Sequence, residues 1–394
     1  MIAIKIIFWI SIGIVFYTYV GYAILLLLLV TLKRLFKRSG IAGEADYEPD
    51  YEPDVTLLIA AYNERDYVPM KVKNTRNLDY PSTKLHQLWV TDGSNDGTPD
   101  LLAAYPDVKV LHDPVRRGKI AAMNRGVKHV KTPIIVFSDA NTELGQESIR
   151  RIVNLFSRPT TGCVSGEKRI HASTADAAAS AGEGFYWRYE SALKRWDAEL
   201  YSVVGAAGEL FAIRTNLYED VPPDTILDDF TISLRVAMKG YTIQYDPEAY
   251  AIETASANVK EELKRKVRIA AGGIQAVARL LPLLNIFKYG MLSFQYISHR
   301  VLRWTITPLL LPAILVLNLL LYNQSLLYAV LLWLQVAFYI AALAGGYLQG
   351  RKLRLKVLFI PYYFFIMNYA VYKGMIRYLR KNQSVSWERA RRGT

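Results

Sequence analysis

The amino-acid sequence predicts an α/β domain held between hydrophobic segments near the two ends of the chain. Residues 6–32 contain no charged side chain and exceed the roughly 20 residues that a helix needs to cross a bilayer. Further apolar runs follow residue 280, so the apolar residues are segregated rather than spread along the chain. Between these regions, strand-like runs alternate with helix-like stretches, a pattern typical of a mostly parallel sheet with helices on both faces.

Charge and cysteine content narrow the class of protein. The chain has 394 residues, a formal net charge of +13 and a single cysteine, Cys163. One cysteine cannot form an intramolecular disulfide, so nothing in the composition indicates an oxidising compartment. A basic excess suits either nucleic acid or an anionic membrane surface. Because much of the charge flanks hydrophobic segments, we expect a membrane as the partner and no nucleic acid.

The first hydrophobic segment predicts a retained transmembrane anchor over residues 1–38. It is too long for a signal-peptide core and lacks a small-residue cleavage site. Basic residues cluster at 33–38, against a lone Lys5 before the segment. The positive-inside bias therefore places the following chain in the cytoplasm, beside an inner membrane that the protein crosses several times. Residues 39–54, rich in Gly, Pro and acidic side chains, form the expected linker.

The α/β pattern extends over residues 55–275. Helices are predicted over residues 118–130 and about 175–200. Strands are predicted at residues 55–62, 86–94, 108–114, 134–137, 162–170, 209–214 and 241–253. If the sheet is parallel, the carboxyl ends of its strands meet at one edge, which is where open α/β sheets bind ligands.

The last part of the chain returns to apolar sequence. Residues 276–304 are apolar but interrupted by Lys, His and Arg side chains, which suits helices lying in the membrane interface. Charge-free runs at 305–322 and 326–348 predict a spanning hairpin. These runs open a C-terminal membrane region that we expect to cover residues 305–379.

A further hydrophobic segment, residues 357–376, contains Pro361 and Lys373. If it crossed the membrane, the basic tail at 380–394 would lie outside, against the positive-inside bias. We therefore expect a re-entrant or interfacial segment with the tail on the cytoplasmic side.

Polar residues stand at the ends of four successive predicted strands. The chain there reads Ala61-Tyr62-Asn63-Glu64, then Asp92-Gly93-Ser94, then Gly118-Lys119, and last Asp139-Ala140-Asn141. Hard oxygen ligands hold divalent cations, glycine permits close approach, and lysine offsets phosphate charge. The sequence therefore predicts a metal–diphosphate site at the carboxyl edge of the sheet.

Each segment alone also has an ordinary structural interpretation. The 92–98 run is a common turn sequence, and Asn63 suits a helix N-cap. Lys119 can be a solvated lysine beside a loop glycine, and Asp139 with Asn141 can simply form a turn. The order of all four segments along one sheet favours the functional interpretation. Zinc-site spacing, a Walker-type phosphate loop and a dinucleotide fingerprint do not occur in the sequence.

The four segments together resemble a known family. "AAYNE", "VTDGSNDGT", "RRGKIAAMNRG" and "SDAN" are similar in sequence and spacing to the motifs of family 2 glycosyltransferases. The membrane-embedded members related to cellulose, hyaluronan and poly-N-acetylglucosamine synthases are the most similar, over about residues 54–275. The resemblance implies a GT-A (Rossmann-like) cytoplasmic domain with an N-terminal transmembrane helix and C-terminal interfacial and transmembrane helices.

The resemblance also implies roles for residues in the donor half. Asp139 and Asn141 occupy the two ends of the family's Asp-X-Asp metal motif, which implies Mg²⁺ or Mn²⁺ as the cofactor. The family often has two acids before the first glycine, where this chain has Thr91 and Asp92, so one contact to the base differs. The residues implied to bind the nucleotide sugar are Ala61, Tyr62, Glu64, Asp92 and Lys119.

The second half resembles the acceptor side of the family. "GAAGELFAIR" places Gly208 and Glu209 at a turn before a strand, and "ILDDFTISLRVAMKGY" places Asp228 and Asp229 at the start of a helix. The resemblance implies that Asp229 is the general base, with Asp228 beside it. N-capping of that helix is the structural alternative.

One motif departs from the polymer-forming relatives, which carry Gln-X-X-Arg-Trp on an interfacial helix. This chain has Arg265 at the Gln position, keeps Arg268 and has Ile269 in place of the Trp. The resemblance implies that both arginines lie at the substrate. An aliphatic side chain does not offer a flat stacking surface to a sugar, so repeated addition is in doubt. The alternative for this stretch is a solvated basic helix face resting on lipid headgroups.

The resulting expectation is a membrane-bound inverting glycosyltransferase. It would transfer a sugar from a cytoplasmic nucleotide sugar, taken as UDP-linked, to a growing polysaccharide, with partner subunits for export. Two alternatives stay open: a single transfer to a lipid-linked oligosaccharide, and a non-catalytic membrane scaffold on the same fold.

Overall fold

A computed structural model describes residues 1–37, 51–171, 177–254, 259–350 and 356–380. Most of the predicted linker and the basic tail from residue 381 onward lie outside the described residues. Within these residues, eight strands form one sheet in the order β3-β2-β1-β4-β7-β6-β8-β5. The strands are β1 (Val55–Ala61), β2 (Leu85–Asp92), β3 (Val108–Asp113), β4 (Ile134–Asp139), β5 (Glu143–Leu144), β6 (Thr161–His171), β7 (Leu210–Arg214) and β8 (Thr242–Thr254).

The sheet is mixed rather than mostly parallel. Strands β3, β2, β1 and β4 run parallel to one another, so their carboxyl ends share one edge. Strand β7 is antiparallel to β4 and pairs Leu210 with Ser138. The start of β7 therefore lies beside the end of β4, which brings the turn before β7 to the same edge. Strand β6 is antiparallel to β7 and parallel to β8.

Helices cover both faces of the sheet and continue into the apolar ends of the chain. The first nine are α1 (Ile2–Phe16), α2 (Tyr22–Lys37), α3 (Val68–Arg76), α4 (Thr98–Ala103), α5 (Lys119–Val127), α6 (Ser148–Phe156), α7 (Ala177–Leu200), α8 (Asp228–Met238) and α9 (Val259–Arg279). The others are α10 (Ile286–Tyr289), α11 (Met291–Tyr296), α12 (Leu302–Trp304), α13 (Ile306–Leu321), α14 (Leu326–Gly350) and α15 (Lys356–Leu379).

Two hydrophobic cores lie on opposite faces of the sheet. Successive residues of a strand point to opposite faces, so Leu57 and Ile59 join one core while Leu58 and Ala60 join the other. All four are at least nine-tenths buried. Burial of each leucine or isoleucine side chain contributes about 1.5–3 kcal/mol. Because β1 is packed on both faces, it gives the loop that follows it a fixed starting point.

In the described part of the chain, three helical segments are long and apolar enough to cross a membrane: Ile2–Phe36, Ile306–Gln324 and Leu326–Leu348. They confirm the predicted apolar helices near the two ends of the chain. Helices α1 and α2 are joined through one π-helical turn, Tyr17–Gly21. Thr18 in this turn lies 2.9 Å from the Thr307 hydroxyl of α13, and both side chains are fully buried. The first segment is therefore packed against the second.

The last helix differs from the sequence-based expectation. Residues 357–376 lie within α15, which is continuous from Lys356 to Leu379, so the re-entrant alternative is wrong. Pro361 lies inside α15, past its first turn, and removes one intrahelical hydrogen bond there. A Cβ at Gly374 would fall 2.7 Å from the Ala270 side chain of α9, so α15 and α9 are in close contact. An interfacial position for α15 stays a prediction.

Candidate active site

The loops after β1, β2 and β3 meet, as expected, at the carboxyl edge of the sheet. They surround a small open cleft. Its lining residues are Ala60, Ala61, Tyr62, Asp92, Arg116, Gly118, Lys119 and Ala122. Four of the five residues expected to bind the nucleotide are thus brought together. Glu64 is the exception, since it is 7% exposed and does not belong to this lining in the described part of the chain.

Asp92 holds the backbone that leads into α5. Its Oδ2 accepts hydrogen bonds from the backbone N–H groups of Arg117, at 2.8 Å, and Gly118, at 2.6 Å. Its Oδ1 has no hydrogen-bond partner among the described residues, although the guanidinium of Arg125 lies 3.7 Å away. The side chain therefore both borders the cleft and fixes the segment immediately before Lys119.

Arg116 was not singled out from the sequence, although it belongs to the quoted "RRGK" run. Its guanidinium carbon lies 3.7 Å from the centroid of the Tyr62 ring, a cation–π contact of about 0.5–2 kcal/mol. A Cβ at Gly93 would fall 2.6 Å from the Arg116 Cβ, and Gly93 has φ +68°. Glycine at position 93 is thus needed for the 113–118 segment to approach the loop after β2.

Lys119, the first residue of α5, is the centre of a charged cluster. Its Nζ donates to Asp139 Oδ1 at 2.8 Å and lies 3.6 Å from Asp228 Oδ2. Burial lowers the pKa of Lys119, but the negative charges of the surrounding aspartates, Asp139 foremost, outweigh it and raise the pKa above its usual value. The ammonium therefore keeps its charge across the physiological range.

Asp228 and Asp229 occupy the first turn of α8. The residue before the helix is Leu227, and no side chain caps it, so the N-capping alternative does not describe this helix. Asp228 is 8% exposed, and its Oδ2 has no hydrogen bond among the described residues. Burial and the neighbouring Asp228 raise the pKa of Asp229 to about 7. A Cβ at Gly208 would lie 3.0 Å from Asp229 Oδ2, so the turn before β7 directly contacts this carboxylate.

Glu209 and Arg265 take part in a second set of ion pairs at the same edge. Lys168 of β6 contacts both Glu209 and Glu253. Burial raises the pKa of Glu209, but Lys168 outweighs it and lowers the pKa to about 2. Arg265 of α9 pairs with Glu262 at 3.0 Å and lies 4.0 Å from Glu253. Glu209 is therefore ionised and already paired.

The basic stretch of α9 is divided between solvent, where Lys264 is 60% exposed, and the protein, where Lys266 is 9% exposed. The Arg265 side chain is 21% exposed, so the solvated basic face proposed as an alternative is wrong for this residue. Burial lowers the pKa of Arg268, while the charges of Asp228, Asp229 and Asp139 oppose the shift. Arg268, which is partly buried, therefore adds a second positive charge near the aspartates.

Lys71 of α3 is a buried lysine that no sequence motif selects. It is 0% exposed, and its Nζ donates to Ser138 Oγ and to the backbone oxygen of Thr142, both at 2.8 Å. Burial lowers its pKa to about 7. Its stretch, "VPMKVKNTR", reads as an ordinary surface helix with lysines at alternate positions.

Asp139 and Asn141 lie two residues apart at the end of β4 and are 9% and 7% exposed. Among the described residues, no group of three or more His, Cys, Asp or Glu side chains is arranged to hold a metal ion. One carboxylate and one amide oxygen, with the Asp228 carboxylate paired to the same Lys119, instead fit a divalent cation that brings its own oxygen ligands. Mg²⁺ is commonly held in this way, by one or two carboxylates together with substrate phosphates.

Sequence comparisons give a family and several relatives. Residues 56–221 match the model "Glycosyl transferase family 2". The chain is 25% identical over 235 residues to a poly-β-1,6-N-acetyl-D-glucosamine synthase of Staphylococcus epidermidis, covering 57% of this chain and 56% of that protein. It is 26% identical over 255 residues to the synthase of the same name from Staphylococcus aureus strain MSSA476, covering 61% and 60%. The chain thus matches less than two thirds of the length of these curated relatives.

A solved structure matches over nearly the whole chain. The mannosyltransferase PcManGT from Pyrobaculum calidifontis, determined in complex with GDP-Man and Mn²⁺, has a TM-score of 0.69 and 22% sequence identity. The match covers 95% of this chain and 99% of that one. The likeness in fold therefore extends beyond the sheet into the flanking apolar helices.

Proposed function

Because residues 56–221 place this chain in the family 2 glycosyltransferases, we propose that it is a membrane-bound inverting enzyme that extends a polysaccharide from a nucleotide sugar. The observation that supports the proposal most strongly is the grouping of Asp139, Asp228 and Asp229 around Lys119 at the carboxyl edge of the sheet. One lysine does not neutralise three carboxylates. Such a cluster is unfavourable in a core without a ligand, and it suits a site that binds a cation and a diphosphate.

The donor nucleotide is assigned to the cleft lined by Ala61, Tyr62 and Asp92. Lys119 and Arg268 supply positive charge next to it, where the diphosphate of the donor would lie. We propose a UDP-linked sugar, in line with the poly-N-acetylglucosamine synthases that the chain resembles. A GDP-linked donor is the competing choice, because the matching mannosyltransferase was determined with GDP-Man.

Asp139 and Asn141 are the residues that would hold Mg²⁺ or Mn²⁺ with the donor diphosphate. Such a cation neutralises the negative charge that develops on the leaving diphosphate. Lys119 contributes to the same stabilisation from the protein side, since its ammonium already lies 2.8 Å from Asp139.

Asp229 would act as the general base. With a pKa raised to about 7, its carboxylate is largely ionised just above neutral pH and is still basic enough to take a proton. The acceptor hydroxyl loses its proton to Asp229 as its oxygen attacks the anomeric carbon, and the bond to the diphosphate breaks. A single direct displacement inverts the anomeric configuration. Gly208 and Glu209, on the turn before β7, border the acceptor side of Asp229.

The proposed location is the inner membrane, with the α/β domain in the cytoplasm. Three helical segments suit membrane crossing, and the basic residues at 33–38 follow the first of them. This orientation gives the enzyme access to cytoplasmic nucleotide sugars and places the acceptor next to the bilayer. Partner subunits for export belong to the same proposal.

A single transfer to a lipid-linked oligosaccharide is the second candidate. It is favoured by Ile269, which replaces the aromatic residue that polymer-forming relatives place against the growing sugar chain. Product sizing with purified protein in vesicles separates the two candidates. A ladder of products indicates polymerisation, and a single shifted lipid band indicates one transfer.

The proposed function is tested by screening nucleotide sugars for release of the nucleoside diphosphate. Purified full-length protein is incubated with Mg²⁺ or Mn²⁺ and with each UDP- or GDP-linked sugar, with Asp229→Asn as the blank. Release that depends on both metal and Asp229 supports the proposal. Absence of binding and of release with every donor would overturn it and favour the non-catalytic scaffold.

A further inference from the structure

Lys71 joins the two residues that flank the Asp139-Ala140-Asn141 turn. Its ammonium donates to Ser138 Oγ at 2.8 Å, before the turn, and to the Thr142 backbone oxygen at 2.8 Å, after it. A third contact reaches Thr142 Oγ1 at 3.2 Å. The three donors of the ammonium thus meet three acceptors on one short segment of chain.

The helix that carries Lys71 is itself fixed to the same segment. One turn further along α3, Asn74 accepts from the Leu144 backbone N–H at 2.8 Å and donates to the Leu144 backbone oxygen at 2.9 Å. Lys71 therefore reaches the turn from a helix whose distance to it is already set.

The contacts of Lys71 continue to the acceptor side. The Ser138 hydroxyl, which accepts from Lys71, lies 3.3 Å from the backbone oxygen of Glu209 and can donate to it. The Thr142 hydroxyl donates to the Asp139 backbone oxygen at 2.9 Å. Lys71 is thereby connected both to the backbone of Asp139 and to the turn whose Gly208 contacts Asp229.

Because these hydrogen bonds are buried, they restrict the movement of the 139–141 turn. Lys71, Ser138 and Thr142 are all at most 5% exposed. A buried amino group that loses an acceptor pays the desolvation penalty of an unsatisfied polar group, so movement of the turn away from Lys71 is disfavoured. The turn between Ser138 and Thr142 contains only three residues, which leaves Asp139 and Asn141 little freedom to separate.

We propose that Lys71 is a positioning residue that holds Asp139 and Asn141 at the spacing needed to bind the divalent cation with the nucleoside diphosphate. The inference rests on the proposed function, since it assigns the cation to these two residues. Lys71 touches neither cation nor substrate and acts through Ser138 and Thr142. A supporting partner of this kind commonly changes metal affinity by about 10–100-fold when it is removed.

The test is Mn²⁺ binding to the detergent-purified full chain, followed by electron paramagnetic resonance of free Mn²⁺ with UDP or GDP present. Lys71→Met keeps the length of the side chain and removes its donors, and we expect about 10–100-fold weaker Mn²⁺ binding. The Mn²⁺ concentration that gives half-maximal transfer should rise by the same factor, and excess Mn²⁺ should restore the rate.

Lys73→Met is the matched control, because Lys73 lies on the same helix with its side chain exposed. Its Mn²⁺ affinity should equal that of the wild type. If Lys71→Met does not fold, Ser138→Ala takes its place, since it deletes one acceptor of the ammonium and should weaken Mn²⁺ binding several-fold.

The outcomes separate this inference from the proposed function. If the wild type binds Mn²⁺ and Lys71→Met, or Ser138→Ala in its place, binds it equally well, the positioning role is overturned while the glycosyltransferase proposal stands. If the wild type binds no Mn²⁺ with either nucleotide, the metal site itself is wrong and the inference falls with it.

Discussion

Two clusters of charged side chains in the described residues differ in how their carboxylates are paired. The donor-side cluster consists of Asp92, Lys119, Asp139, Asp228 and Asp229. The membrane-side cluster consists of Glu190, Asp197, His299, Arg300 and Arg303. Both clusters combine acidic and basic side chains away from solvent, so burial and charge alone do not distinguish them.

Every carboxylate oxygen of the membrane-side cluster has a partner. Arg300 donates to Glu190 Oε2 at 3.2 Å, and Arg303 donates to Oε1. His299 Nδ1 donates to Asp197 Oδ2 at 2.7 Å. Tyr22 of the first membrane helix and Gln295 donate to Asp197 Oδ1. The carboxylates of this cluster are therefore all hydrogen-bonded, and they join α2, α7 and the segment before α13. His299 Nε2 has no hydrogen bond among the described residues and lies 3.5 Å from Glu190 Oε2.

The donor-side cluster, by comparison, contains carboxylate oxygens that accept no hydrogen bond. Asp92 Oδ1 and Asp228 Oδ2 have no hydrogen bond within the described chain, and Asp229 has a pKa raised to about 7. An unsatisfied buried carboxylate oxygen is unfavourable for the fold unless a ligand completes it. The comparison indicates that carboxylate oxygens without a hydrogen bond, rather than charge, distinguish the proposed donor site.

The largest expected effect is on the donor side. Asp229→Asn removes the proton acceptor and should lower kcat by about 10²–10⁴-fold. Its melting temperature should stay close to that of the wild type, because the amide has nearly the same size and shape as the carboxylate. The comparison control is Asp220→Asn, whose side chain is 53% exposed and which should keep its activity. Wild-type kcat in Asp229→Asn would contradict the assignment of the base.

The membrane-side cluster should show the opposite behaviour. Glu190→Gln leaves Arg300 and Arg303 buried without their counter-charge and should destabilise the protein by about 3–5 kcal/mol. The rate per folded molecule should not change, since Glu190 belongs to the membrane-side cluster and not to the proposed donor site. Thermal unfolding and kcat measured on the same detergent-purified sample test both statements.

Glu199→Gln is the control for Glu190→Gln. Glu199 pairs with Arg34 at a site where the two side chains are 32% and 56% exposed, and loss of such a pair costs about 0–1 kcal/mol. Equal melting temperatures for Glu190→Gln and Glu199→Gln would show that the buried pairs of Glu190 stabilise the protein no more than an exposed ion pair does.

The pH dependence sharpens the assignment of Asp229. A base must be ionised to accept a proton, and burial with the charge of Asp228 raises the pKa of Asp229 to about 7. The rate should therefore fall as the pH drops through about 7 and level off above it. Asp228→Asn removes the neighbouring negative charge, so the acidic limb of kcat/KM should move down by about one pH unit. An unmoved limb would show that another group titrates.

The smallest effect is expected at Gly208. A methyl group in Gly208→Ala would lie 3.0 Å from Asp229 Oδ2 and displace the carboxylate by a few tenths of an ångström. We expect up to about a 10-fold loss of kcat, less than the loss that a full ångström of misplacement causes. Gly13→Ala is the control, because a Cβ at Gly13 meets nothing within 4 Å. Equal kcat in both variants would show that Gly208 does not affect the position of the Asp229 carboxylate.

The sequence was sufficient for the parallel part of the fold. Strand β1 was expected at residues 55–62 and runs from Val55 to Ala61, and β2 was expected at 86–94 and runs from Leu85 to Asp92. These strands end in turn-forming polar residues, so the local sequence is enough to predict where each strand ends. The antiparallel direction of β7 was not predicted, because an apolar run such as "ELFAIR" does not encode the direction of its neighbour.

The same limit explains which site residues were found. Asp139 and Lys119 follow apolar strands in recognisable motifs, so the sequence alone could select them. Lys71 follows no motif, and its burial arises only when α3 packs beneath the end of β4. The ion pairs of Glu209 with Lys168 likewise depend on the pairing of distant strands.

The most direct test of the central claim is the position of Mn²⁺ in a complex with a nucleoside diphosphate, located by its anomalous scattering. We expect one Mn²⁺ coordinated by the Asp139 carboxylate and next to Asn141, with the diphosphate between the ion and Lys119. Nucleotide bound in the cleft with Mn²⁺ elsewhere, or with Asp139 still paired only to Lys119, would contradict it.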